Sequence, residues 1–147
     1  MIVNKTQFSD LLQTYLNENP EIGYLTFEVY QESPIEGILP VPNARITISK
    51  DLGDGFYYSK VITTNQDGET DPIPLPTVSR ELSLIPGNAR VYATYNVSVE
   101  APDFLRNDIY NIQIFDGITA IQRVNLKPFT ENGMAQAKQL NHFRRGW

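Results

Sequence analysis

Hydrophobic and polar positions follow two different periods along the chain, and the change falls at Pro20. Before Pro20 the apolar positions are Phe8, Leu11, Leu12, Tyr15 and Leu16. Their spacing of three and four residues is typical of one face of an α-helix. The pattern predicts an amphipathic helix over residues 4–18, with Asn4 as its N-cap and Gln7 as the capping-box partner. Proline lacks an N–H and disfavours α geometry before it, so the helix should end at Asn19.

After Pro20 the period shortens to two, which is the period of a half-buried β-strand. The predicted strands are 23–31, 43–50, 56–65, 91–100, 109–115 and 118–127. Asp116-Gly117 between the last two is a strong hairpin dipeptide. Alternate prolines in Asp71–Pro76 remove ladder donors, so this stretch should follow an extended edge or polyproline II path. Short strands separated by turn signals indicate a sandwich or a barrel.

The chain of 147 residues, 41% of them hydrophobic, is long enough for one domain with a substantial core. Three parts are expected. Residues 1–19 form an N-terminal helical arm, 20–128 the β domain, and 129–147 a polar C-terminal tail with weak helical character.

Composition excludes several kinds of chemistry and partner. The absence of cysteine excludes disulfides, cysteine-ligated zinc, iron–sulfur clusters and a thiol nucleophile. The formal net charge is −5, yet residues 133–147 carry only basic charges, so the rest of the chain is more acidic still. An acidic body argues against nucleic acid as a partner. No apolar run reaches signal-peptide or transmembrane length, so we expect synthesis in the cytoplasm and no membrane partner.

Five segments together resemble one family of domains. They are Gly23-Tyr-Leu-Thr-Phe-Glu-Val, Pro40-Val-Pro-Asn-Ala44, Thr64-Asn-Gln-Asp67-Gly68, Tyr95-Asn-Val-Ser-Val-Glu-Ala101-Pro-Asp-Phe104 and Val124-Asn-Leu126. Over residues 23–128 the chain is similar to the carboxypeptidase regulatory-like, transthyretin-like β-sandwich. It looks especially like the version associated with spore cortex-lytic proteins of Gram-positive spore formers. Asp103 departs from that pattern, because the family often has glycine there.

The resemblance implies a mainly β fold: an Ig-like, transthyretin-type antiparallel β-sandwich, here with a short N-terminal α-helix and an extended C-terminal tail. Domains of this class usually pack, position or bind, so it also implies an accessory role.

Candidate catalytic and metal-binding residues are few. His142 is the single histidine, and it lies in the tail. The carboxylate pairs Glu69/Asp71 and Asp51/Asp54 occupy turns, where turn chemistry alone favours acidic residues. The loop 65–71 resembles part of a calcium site but lacks the closing glutamate. We therefore predict no enzyme activity, no cofactor and no metal.

Contacts with partners are expected from apolar, aromatic and basic side chains on the helix, the strands and the tail. The candidates are Phe8, Leu11, Leu12, Tyr15, Tyr24, Tyr30, Tyr92, Phe143, Arg144, Arg145 and Trp147. The helix packs either on its own sandwich or on a neighbouring subunit. Outward tyrosines suit protein interfaces or sugar stacking, and the alternative is that they pack under the helix 4–18 or cover sheet edges. The tail could clip onto an acidic surface, such as that of another copy.

Two functions follow as expectations, and a hydrolase is a much weaker third. The favoured one is a structural subunit of a large assembly, such as a phage tail or baseplate, a contractile particle or a spore layer. Its partners would be other protein subunits, including itself, and its final location a virion-like particle or a spore. The alternative is a stand-alone module that binds peptidoglycan or another cell-wall glycan.

Overall fold

The computed structural model describes residues 2–87 and 91–129, and it is mainly β with one N-terminal helix, as predicted. The helix α1 spans Ile2–Glu18. The strands are β1 (Glu21–Ser33), β2 (Gly37–Pro40), β3 (Arg45–Gly53), β4 (Phe56–Thr63), β5 (Ile73–Thr77), β6 (Ala93–Glu100), β7 (Asn107–Ile114) and β8 (Thr119–Asn125). A short 3₁₀ helix, Arg80–Leu84, precedes β6. No helix in these two ranges is long and apolar enough to cross a membrane.

The strands form two four-stranded sheets. In the first sheet, β1 pairs with β8 along Tyr24–Tyr30, while β5 and β2 pair with the two ends of β1. Because β8 overlaps both of them along β1, β5 and β2 share the opposite edge. The second sheet has the order β4-β3-β6-β7 and is antiparallel throughout.

One pairing departs from the expected antiparallel sandwich: β8 runs parallel to β1. The strand before it, β7, belongs to the second sheet, so the chain changes sheets through the Asp116-Gly117 turn before β8 begins. Asp116-Gly117 therefore joins two sheets and does not close a hairpin. The dipeptide correctly indicated a turn, but a turn signal does not determine which strands pair.

The core lies between the two sheets and is built from the predicted inward positions. Leu25, Phe27 and Val29 of β1 are at most 2% exposed, and Ile46 and Ile48 of β3 are fully buried. Burial of side chains of this size stabilises a fold by roughly 1.5–3 kcal/mol each. The period-two pattern therefore identified the buried face of both central strands.

Two left-handed residues occupy positions that the family resemblance singled out. Asn43, before β3, has φ 58°, and Asp103, after β6, has φ 70°. Asparagine and aspartate adopt this region more readily than other non-glycine residues. Asp103 thus takes the backbone conformation for which the family often uses glycine.

Four local predictions need correction. The helix begins at Ile2, so Asn4 lies inside it and is not the N-cap. The amide of Gln7 donates instead to Asp54 Oδ2 at 3.2 Å, a tertiary contact that replaces the predicted capping box. The third strand ends at Thr63 and the fourth begins at Ala93, so both are shorter than predicted. The strand β2 was not predicted, because four residues are too few to show a period.

The proline-rich stretch forms β5, a strand that pairs with β1 only, as its alternate prolines predict. The tail residues 130–147 lie outside the described residues.

Candidate functional site

The apolar face of α1 packs on the sandwich of its own chain. The Phe8 ring lies 5.9 Å from that of Phe56, and the Tyr15 ring 6.4 Å from that of Tyr58. Leu11 and Leu12 on the same face are half-buried. Of the two arrangements left open by the sequence, this chain shows the helix on its own domain.

Tyrosine hydroxyls join the helix to both sheets. Tyr15 donates to the hydroxyl of Tyr95 at 2.8 Å, and Tyr95 donates to the carbonyl oxygen of Pro76. Tyr95 is 1% exposed, and burial, followed by its hydrogen bond with Tyr15, raises its pKa. Burial also raises the pKa of Tyr58. Four members of the predicted set of contact residues, Phe8, Leu11, Leu12 and Tyr15, therefore pack within the fold itself.

The outward side of the first sheet carries a different set of residues, which we call the outer face. Period two along β1 places Tyr24, Glu28, Tyr30 and Glu32 outward. The parallel register sets β8 residues beside them: Thr119, Ile121, Arg123 and Asn125. Tyr24 and Tyr30 are half-buried among these neighbours, whereas Ile121 is 62% exposed.

One end of the outer face forms a cleft of about 410 Å³, which we call the acidic groove. Its lining side chains are Glu28, Tyr30, Glu32, Ile38, Pro40, Asp67, Glu69 and Arg123. Four carboxylates and one guanidinium give this lining a formal net charge of −3. The Arg123 Nε lies 3.1 Å from Glu28 Oε1, and the Asn125 amide donates to Glu32 Oε1 at 3.2 Å.

The loop that carries Asp67 and Glu69 is fixed by its own turn chemistry. The Asn65 side-chain oxygen accepts from the Asp67 N–H at 2.9 Å and from the Glu69 N–H at 3.0 Å. The Gly68 carbonyl accepts from the Val29 N–H at 2.7 Å, which ties the loop to β1. A turn role therefore accounts for the loop that resembled a calcium site. Within residues 2–87 and 91–129, no group of three or more acidic or histidine side chains is placed to hold a metal.

The other end of the outer face is apolar. Backbone hydrogen bonds from Tyr24 N to Ile118 O and from Gly117 N to Ile22 O, both 2.9 Å, bring the β7–β8 turn against the start of β1. Ile22 is 47% exposed and Ile118 54% exposed. Together with Ile121 they leave a broad apolar surface at this end.

Tyr92 lies away from the outer face, just before β6. It is half-buried, and its ring centroid lies 5.4 Å from that of Phe115. It also lines a cleft of about 550 Å³ between α1 and the second sheet, together with Leu11, Tyr15 and Lys50. The predicted tyrosines thus divide between two separate surfaces.

The carboxylate pairs considered from the sequence do not share one site. Asp51 accepts from the Gly53 N–H at 2.8 Å, while Asp54 accepts from Gln7. Glu69 lines the acidic groove, whereas Asp71 lines a different cleft beside β4 and β5. His142 lies outside the described residues, as do Phe143, Arg144, Arg145 and Trp147.

Comparison with known proteins adds no identification: no family model and no curated protein matches the chain.

Sequence reasoning missed most of the acidic groove. Glu28 and Glu32 could have been found, because period two puts them on the face of Tyr30. Asp67 and Glu69 could not, since their place beside β1 depends on long-range hydrogen bonds of Gly68 and Thr70 with that strand. Arg123 depends in the same way on the parallel register of β8.

Proposed function

We propose that this chain is a non-enzymatic interaction subunit of a larger protein assembly, and that it contacts neighbouring subunits through the outer face and the β8 edge of its first sheet. The observation that supports this most is the edge of β8, which no strand in the described part of the chain covers. Sheet edges present unpaired N–H and C=O groups, and proteins usually shield them against unwanted pairing.

The other edges each carry such a shield. The strand β5 has alternate prolines, and on β4 Lys60 takes an inward position and donates to the Pro74 carbonyl at 2.7 Å. The strand β7 is interrupted by a bulge, where Asn111 has φ 58°. Short β2 ends in Pro40. In contrast, β8 has seven residues, no proline and no bulge.

The free groups of β8 face away from β1. The even positions of this strand pair with β1, as the bond from Leu126 N to Tyr30 O shows at its end. The odd positions therefore direct their N–H and C=O groups outward. No strand in the described part of the chain covers them. A neighbour's strand placed here would gain ladder hydrogen bonds and would bury Ile121.

The solution mass of the full chain, measured by light scattering over a concentration series, tests this function. Ile121→Lys places a charge on the β8 edge and should weaken self-association or binding to a partner subunit. Val61→Lys is the matched control, because Val61 is 51% exposed and lies on β4, the edge of the other sheet. Equal behaviour of both variants and the unmodified chain would contradict the use of the β8 edge.

The kind of assembly remains part of the proposal: a phage tail or baseplate, a contractile particle or a spore layer. The transthyretin-like resemblance supports this choice, since such domains usually serve as packing or positioning modules. A subunit of this kind would be found in the purified particle, and mass spectrometry of particles from the source cell tests that expectation.

A second candidate function is glycan binding, which the position of Tyr30 favours. Its ring lies in a cleft lined by carboxylates, and aromatic rings beside hydrogen-bonding groups suit sugar stacking. Tyr30→Ala should then abolish co-sedimentation with purified peptidoglycan. Tyr57→Ala is the control, because Tyr57 is 55% exposed on β4. No binding by the unmodified chain would remove this candidate.

A further inference from the structure

The acidic groove carries an excess of negative charge that its own Arg123 does not balance. Arg123 pairs with Glu28, and the Asn125 amide occupies one oxygen of Glu32. Within the described residues, the carboxylates of Asp67 and Glu69 have no hydrogen-bond or ion-pair partner. Each free carboxylate suits the planar guanidinium of arginine, which binds the two oxygens of a carboxylate through paired hydrogen bonds.

The groove also offers apolar surface beside these carboxylates. Ile38 is 71% exposed on one wall, and Tyr30 and Pro40 complete it. An occupant that matches the groove therefore combines cationic side chains with large apolar ones. Aromatic residues and arginine are the side chains that most often anchor protein interfaces.

The chain itself contains such an occupant. Residues 133–147 include Lys138, Arg144 and Arg145 and no acidic residue, so they carry a formal charge of +3. Within them Phe143-Arg-Arg-Gly-Trp147 places two aromatic residues around two arginines. The sign and size of this charge complement those of the groove.

We propose that the acidic groove is the receptor for residues 138–147 of a second copy of this chain. This inference rests on the proposed assembly function and names a contact within it. The arginines of one copy bind Asp67 and Glu69 of the next, and the aromatic side chains cover Ile38 and Tyr30.

The chain beyond β8 is long enough to reach a second copy. Beyond β8 the backbone leaves the first sheet, since Leu105 N donates to Lys127 O at 2.9 Å and Phe129 N donates to Asp103 O. Phe129 thus lies beside the β6–β7 connection. The fifteen residues that follow Phe129, up to Arg144, span at most about 54 Å when fully extended, which is enough to reach a neighbouring subunit.

Charge also favours a basic peptide over a cell-wall glycan. Peptidoglycan carries carboxylates of its own, and like charges brought together in a cleft repel each other. Glycan binding in this groove is therefore an outcome that would overturn the proposal.

A charge exchange in the full chain tests the contact. Asp67→Lys/Glu69→Lys reverses the groove, and Arg144→Glu/Arg145→Glu reverses the segment. Asp10→Lys/Glu81→Lys is the control, because it makes the same charge change at exposed positions outside the groove. Circular dichroism and thermal unfolding establish that each variant is folded.

Sedimentation velocity over a concentration series then measures association. Each reversed variant alone should associate at least about tenfold more weakly than the unmodified chain, while the control should not change. An equal mixture of the two reversed variants should restore association, because each basic group again meets an acidic one. In 0.5 M salt the unmodified chain should also weaken, since salt screens exposed charges.

Several results would overturn the proposal. These are a single-chain mass for the unmodified protein at every concentration, unchanged association of the groove-reversed variant, and a mixture that associates no better than its components. Glycan binding that is lost on groove reversal would assign the groove to the other candidate function.

The two proposals fail separately. If Ile121→Lys weakens association and the charge reversals do not, the assembly function stands without this contact. If the charge reversals weaken association and Ile121→Lys does not, the groove contact stands and the β8 edge is not a contact surface.

Discussion

Gly68 fixes one wall of the acidic groove, and its replacement by alanine should be costly for two reasons. Its φ is +72°, a conformation that side chains other than glycine rarely adopt. A Cβ at this position would also lie 2.3 Å from the Val29 carbonyl oxygen and 3.0 Å from the Val41 N. Both of these neighbours are backbone atoms, one in β1 and one directly after β2, so moving either would disturb the hydrogen bonding around them.

The expected loss can be worked from these contacts. The left-handed backbone alone costs a residue with a Cβ about 1–2 kcal/mol. Moving the loop to relieve the overlap breaks the bond from Val29 N to Gly68 O, and an unsatisfied buried backbone group costs about 1–3 kcal/mol. Gly68→Ala should therefore lower the free energy of unfolding by about 2–5 kcal/mol.

Gly55→Ala separates the two causes. Gly55 has φ +81°, but nothing lies within 4 Å of the Cβ that alanine would add. It should lose only the backbone part, about 1–2 kcal/mol. Urea unfolding followed by circular dichroism measures both variants, with the unmodified chain beside them. Equal losses at the two glycines would refute the view that close packing of Gly68 on β1 holds the groove wall.

Three further predictions concern the contacts between α1 and the sheets. Tyr95→Phe should lower the free energy of unfolding, measured in urea, by about 1–3 kcal/mol, because it leaves the Pro76 carbonyl without its hydrogen-bond donor. A loss below about 0.5 kcal/mol would contradict that role. Burial raises the pKa of the Tyr95 hydroxyl above its ordinary value of 10.0, so this hydroxyl loses its proton at lower pH in the unfolded chain than in the folded one. The free energy of unfolding should therefore be constant up to about pH 10 and fall above it. An identical alkaline decline in Tyr95→Phe would assign the effect to other groups. Phe8→Ala removes the ring contact with Phe56 and should therefore lower the melting temperature. The β-sheet signal in circular dichroism should be retained. An unchanged melting temperature would show that this contact of α1 adds no stability.

The β fold could be predicted because its information is local. Alternation of apolar and polar residues identified the inward faces of β1 and β3. The start of α1 could not be predicted, because Gln7 contacts Asp54 of a distant turn and forms no cap.

The groove could be predicted only in part, for the same physical reason. Glu28 and Tyr30 share a strand, so their common face is visible in the sequence. Arg123 reaches Glu28 only through the parallel pairing of β1 with β8, two strands far apart along the chain. Local patterns do not encode the direction or the register of such a pairing.

The proposed function is contact with other subunits through the outer face of the first sheet. The most direct test is the solution mass of the full chain beside Ile121→Lys and Asp67→Lys/Glu69→Lys, measured over the same concentration series. The unmodified chain should form a defined oligomer and both variants should show a clear loss of mass, while Val61→Lys should behave like the unmodified chain. A mass that is the same for all four proteins at every concentration would contradict it.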